Sequence, residues 1–160
     1  MISEFEPIIR WLHVIGAAVL LGTGAGIAFF MLAAVRTGDT RLIASVARIV
    51  VRADIVFTAS AIVVQPVTGL ALAFAVGWDL REGWLLASIG LYVLTGLCWL
   101  PVVWIQLRLH RLADWASRME EPLPVEFHRL FRIWLVLGFP AFASVLGILW
   151  LMIARPAISL

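Results

Sequence analysis

Three histidines and one cysteine are the side chains of this 160-residue chain best suited to hold a metal or exchange a proton near neutral pH, and only His13 among the histidines falls inside an apolar stretch. It stands in Trp11-Leu12-His13-Val14-Ile15-Gly16, about five residues or roughly 8 Å inside a helix at 1.5 Å per residue. Helical spacing puts it on the side that also carries Gly16, Ala17, Leu20 and Gly24, so it faces neighbouring helices. An ionisable group at that depth costs free energy that a packing residue avoids, which makes it a functional-site candidate. A neutral imidazole can supply an axial bond to haem iron, small residues beside it leave room for a flat macrocycle, and Arg10, one turn outward, can meet a propionate. These considerations gather His13, Arg10, Gly16 and Tyr92 around haem b or a similar planar redox ligand. The competing expectation is a neutral histidine hydrogen-bonded to another helix, with Ser88, Tyr92 and Thr68 at suitable depths. His110 and His128 belong to the other side of the membrane, so bis-histidine ligation is excluded; Met152 is at a more suitable height and reads equally well as an interface methionine.

A second candidate group is Gln65-Pro66-Val67-Thr68-Gly69, which places an amide, a hydroxyl and a flexible residue near mid-membrane, opposite the glycine-rich first helix. Pro66, Pro101 and Pro140 each free the carbonyl four residues earlier, on Ile62, Leu97 and Val136, and predict kinks in three of four spans. In lipid those carbonyls need partners, for which Gln65, Thr58, Thr95 and Ser144 are available, unless the bends open a cavity. Asp54 lies at the inner entrance of the second span and calls for a salt bridge to Arg36, Arg108 or Arg132. Gln65 and Thr68 with Asp54 at the mouth would also line a passage for a small solute or metal.

The elements that must position these residues are four stretches at 8–35, 55–76, 84–107 and 133–153, each near or above the roughly 20 residues needed to cross a hydrocarbon core about 30 Å thick. With 63% apolar residues, the chain reads as one all-α domain over 1–160: a polytopic membrane protein with four transmembrane helices in an up-down bundle. The helix in 41–53 starts below the membrane and continues into the second span. The third connection, 108–132, contains the Glu120-Glu121-Pro122-Leu123-Pro124 break and is the one segment long enough for a small cytoplasmic excursion. Gly22 and Gly26 form a GxxxG pair expected to serve packing inside the chain.

All 12 basic residues are arginines. Arg36, Arg41, Arg48 and Arg52 flank the first connection and Arg108, Arg111, Arg118, Arg129 and Arg132 the third, while only Arg10, Arg81 and Arg155 lie on the opposite side. The positive-inside rule then gives an inner-membrane protein with both termini outside. Arginines bracketing membrane spans fit anionic headgroups, not nucleic acid. His110 and His128 belong to this basic rim. Cys98, within the third span, has no partner for a disulfide or CxxC pair, and no GxSxG, Walker loop or HExxH is present.

Trp11-Leu12-His13-Val14-Ile15-Gly16, Ala53-Asp54 with Phe57-Thr58, Gln65-Pro66-Val67-Thr68-Gly69, Trp99-Leu100-Pro101-Val102-Val103-Trp104-Ile105-Gln106, and Leu130-Phe131-Arg132 through Gly138-Phe139-Pro140-Ala141-Phe142 together resemble a bacterial family of predicted four-span integral membrane proteins, domain of unknown function 2269. That resemblance covers nearly the whole chain and implies the fold and an inner-membrane location. A more distant similarity, confined to the first helix, is to the membrane-embedded protoporphyrinogen oxidase and to copper-resistance D-type domains, which also carry an early histidine where this chain has His13. The later pattern of the oxidase is replaced here by Gly22-Thr23-Gly24-Ala25-Gly26, and the chain has no lysine. The expected activity is therefore haem or redox-ligand binding through His13, with two alternatives: a non-catalytic accessory or scaffold subunit, packed on a membrane-protein partner or a second copy, and a passage protein.

Overall fold

A computed structural model of the chain describes residues 4–158. Helix α1 spans Glu6–Thr37, with Pro7 in the first turn, where its missing N–H leaves no bond unmade. It stops at Gly38, whose φ of 71° is left-handed and whose amide returns to the Val35 carbonyl. Asp39 then caps α2 (Thr40–Ala53), its carboxylate accepting from the amides of Arg41 and Leu42 at 2.9 and 3.2 Å. One stripe of α2, Ile43, Ala44, Ala47 and Val50, is buried, while Arg41, Arg48 and Arg52 remain outside. The helix passes through a π-helical turn at Asp54–Thr58 into α3 (Ala59–Val76) without a break, giving the continuous segment expected from the sequence.

Helix α4 covers Gly83–Met119 and α5 covers Val125–Ala154. Four helical segments are thus long and apolar enough to cross a membrane. Pro66, Pro101 and Pro140 all lie inside helices that continue past them. The 108–132 segment is a helical hairpin and not a loop: both helices extend beyond the apolar stretches and leave only Glu120 to Pro124 between them. The reason is that Leu109, Ala113 and Ala116 on α4 and Phe127, Phe131 and Trp134 on α5 prolong the apolar stripes, which close over the buried face of α2. Phe131 stacks on Phe127 at 6.3 Å and on Trp134 at 5.8 Å between ring centres. The main core therefore sits at the Arg-rich end, joined across elements by the ion pairs Arg41–Glu120, Arg48–Asp114 and Arg108–Glu126.

At the opposite end a smaller cluster of Ala73, Trp84 and Leu85 takes in Met152, which is an interface methionine there. Trp78 meets Trp84 edge to face, and the Arg155 guanidinium lies 4.4 Å from the Trp78 ring centre. Between the two ends, large apolar side chains such as Phe29, Val67, Phe74, Leu97 and Phe139 are exposed, a surface suited to lipid and not to water. The glycine pair of α1 is part of that surface. A Cβ added at Gly22 or Gly24 meets nothing within 4 Å, and one at Gly26 meets only Phe30 of the same helix. This corrects the expectation of intrachain packing: α1 approaches α3 through Gly16, nearer its start.

Candidate functional site

Two groups that the sequence offered separately form one site. His13 on α1 lies against Thr68 on α3, with Nδ1 and Oγ1 2.8 Å apart. The Thr68 hydroxyl also donates back to the Val64 carbonyl at 2.7 Å, the usual helix back-bond of an intramembrane threonine, with the Gln65 carbonyl at 3.2 Å. A hydroxyl has one proton. With that proton on the carbonyl, Thr68 Oγ1 accepts from His13, so the imidazole is the Nδ1–H tautomer and its Nε2 keeps a free lone pair. Gln65 closes the contact from the other side, donating its amide to the His13 carbonyl at 2.8 Å.

The glycines show why the helices can come so close. A Cβ on Gly16 would run into the Gln65 amide nitrogen, and one on Gly69 would stand 3.2 Å from His13 Cε1. The bare Gly16 leaves room for the Gln65 amide at the His13 carbonyl, and the bare Gly69 gives the imidazole slack against α3. Gln65 and Thr68 are buried and His13 is half-buried.

The residues expected to surround a ligand beside His13 have other partners. Arg10 pairs with Glu6, one turn earlier on the same helix. Gly16 is covered by Gln65 instead of opening onto a macrocycle. Tyr92 does not reach His13: its hydroxyl donates to the Ile62 carbonyl, the group that Pro66 frees. The sequence named that carbonyl as needing a partner but offered Gln65, Thr58, Thr95 or Ser144 for it. A tyrosine on the helix opposite leaves no local signal of this role.

Asp54 has a different neighbourhood from the salt bridge expected of it. Among the described residues no arginine pairs with it, and the Trp99 indole donates to its Oδ1 at 3.3 Å. The π-helical turn that begins at Asp54 has no recognisable signature in the residues.

Beyond the apolar stretch of α4, His110 lies in the Arg-rich rim with its Nδ1 buried and unpartnered. Burial lowers its affinity for a proton, Arg48 and Arg52 lower it further, and Asp114 opposes them. Glu126 is held below the usual carboxylate range by its hydrogen bond from Arg108. His128 is exposed and meets the Phe127 ring edge to face. Among the described residues no group of three or more histidine, cysteine or acidic side chains is placed to hold a metal.

Fold and site together define a polytopic α-helical membrane protein with one interhelical histidine contact. The chain belongs to the family described as "Predicted integral membrane protein (DUF2269)", which matches residues 7–156. No curated protein and no solved structure matches it.

Proposed function

We propose that this membrane protein binds haem b or a similar flat redox ligand through His13 Nε2, in the half of the membrane away from the Arg-rich end. One observation carries the reading. The Nδ1 bond to Thr68 holds the ring, as a hydrogen bond on the other nitrogen does for a metal-bound histidine, and with the threonine proton on Val64 it leaves the lone pair on Nε2, which has no hydrogen-bond partner among the described residues. Because Gln65 covers Gly16, the ligand lies along the flank of α1 and not over that glycine. Arg10 has to leave Glu6 to meet a propionate. The test is an oxidised and dithionite-reduced absorption spectrum of protein from cells supplied with a haem precursor. A Soret band lost in His13→Ala supports the assignment; a colourless wild type at adequate haem supply ends it.

A second reading has its own observation. Gly22 and Ala25 lie exposed beside Phe29 on α1 with no helix of this chain across Gly22. Small residues on an open helix face suit an accessory or scaffold subunit that packs on a membrane protein or on a second copy of itself. It predicts a colourless protein that keeps its partner through mild-detergent purification. The passage reading draws least from the geometry, because Gln65 and Thr68 commit polar atoms to His13 and to α3 carbonyls. In either favoured reading the arginine asymmetry supports an inner-membrane protein with both termini outside. A reporter fused after Leu160 that scores as cytoplasmic overturns that orientation.

A further inference from the structure

Asp54 is a buried carboxyl with no cationic partner among the described residues. It is 4% exposed, its Oδ2 is buried with no hydrogen-bond partner among the described residues, and its Oδ1 receives only the long bond from Trp99. Thr58, four residues on, is 7% exposed, and its buried hydroxyl has the Asp54 carboxyl as its one neighbour to hydrogen-bond among the described residues. The backbone between them is the π-helical turn, in which the Ala59 amide reaches back five residues to the Asp54 carbonyl. Such turns are rare and concentrate at functional sites.

The surrounding charges do not neutralise the carboxyl. Around the turn, α1 carries His13 and Arg36, α2 carries Arg48 and Arg52, α4, brought against it by Trp99, carries Cys98, Arg108 and His110, and α3 carries no ionisable side chain. Arg48 is held by Asp114 and Arg108 by Glu126, and no guanidinium comes within ion-pair distance of Asp54. An uncompensated carboxylate in a site this dry is far more costly than one that is paired or neutralised. A carboxyl with only a hydroxyl and an indole N–H beside it, and no cation among the described residues to balance it, therefore points to a small positive species held at that carboxyl. One turn earlier, Val50 lines a cavity of about 10 Å³ together with Gln106 and Trp134, whose indole N–H is also buried and unpartnered.

We propose that Asp54, Thr58 and the π-helical turn form a binding site for one monovalent cation, a proton or a sodium ion. It is separate from the His13 contact and does not depend on what His13 binds.

The test compares wild type, Asp54→Asn and Thr58→Val as full-length protein in detergent, by infrared spectroscopy and thermal melts. With sodium as occupant, exchanging choline chloride for sodium chloride at constant ionic strength raises the wild-type melting temperature and leaves Asp54→Asn unchanged. Thr58→Val then needs roughly tenfold more sodium, the loss expected for one ligand oxygen. With a proton as occupant, wild type at neutral pH shows the C=O stretch of a protonated carboxylic acid. That band shifts in heavy water, disappears in Asp54→Asn, moves in Thr58→Val and ignores sodium. A wild-type spectrum with every carboxyl ionised and a melt indifferent to sodium overturns the proposal, as does a sodium effect or acid band that survives in Asp54→Asn. The wild-type measurements decide even where a variant fails to fold.

Discussion

His13 on α1 and Thr68 on α3, 55 positions apart in the chain, are joined by a 2.8 Å contact in which the threonine, its own proton already given to Val64, accepts from Nδ1. Thr68→Val keeps the shape and removes the acceptor, leaving an imidazole N–H without a partner in an apolar setting. The expected loss of stability is about 1–2 kcal/mol, and the coupling between His13→Ala and Thr68→Val in a double-mutant cycle is about 0.6–1.7 kcal/mol, the range for interhelical hydrogen bonds in membranes. Reversible unfolding in mixed micelles measures both, and a coupling near zero removes the bond from the account.

Two glycines of the same helix have opposite tolerances. Gly16→Ala drives a methyl into the Gln65 amide and lowers the melting temperature, while Gln65→Ala in the same chain recovers part of the loss by opening the space. Gly22→Ala meets no neighbour and stays within about 0.5 kcal/mol of wild type in the isolated chain. If α1 docks on another membrane helix through Gly22, the same substitution instead weakens the assembly, read as a shift in elution from a sizing column.

Tyr92 restores a hydrogen bond that Pro66 removes, by donating to the Ile62 carbonyl across the helix interface. Tyr92→Phe leaves that carbonyl bare in the membrane interior, for an expected destabilisation of about 1–3 kcal/mol. Adding Pro66→Ala returns an amide to the ladder and relieves most of it. Equal losses with and without the proline refute the pairing.

The residue pattern disclosed the membrane class, the four helices and the helix that runs from Thr40 through the second span, because length, apolar runs and arginine placement are properties of consecutive residues. It also singled out His13, Gln65, Thr68 and Asp54. What it could not provide is which helix faces which. Thr68 stands in the sequence as one of three hydrogen-bond candidates for His13, Tyr92 reads as a neighbour of His13 and not of Ile62, and Gly22–Gly26 reads as a packing face within the chain. Each of these depends on helix rotation and register, and apolar runs facing lipid on one side and protein on the other carry little periodic signal to fix either. The extension of α4 to Met119 was readable in principle from Leu109, Ala113 and Ala116, whose spacing of three and four continues the buried stripe, but the charges between them mask it.

At the Arg-rich end the pH dependence of stability follows from His110. Its imidazole is held neutral by burial and by Arg48 and Arg52, so it binds a proton less readily folded than unfolded. A group with a depressed folded affinity favours the folded state fully above its unfolded value of 6.5, and that contribution falls as pH drops through 6.5 towards the folded value. The Glu126–Arg108 pair acts in the same direction but at lower pH, where the carboxylate is protonated and the exposed bond is lost; being at the surface, it contributes little. Wild type is therefore expected to melt at a lower temperature at mildly acidic pH than at neutral pH, and His110→Gln to lose much of that dependence while unfolding normally at neutral pH. Melts of both proteins in the same detergent across that range decide it: parallel curves for wild type and variant place the pH sensitivity elsewhere in the molecule.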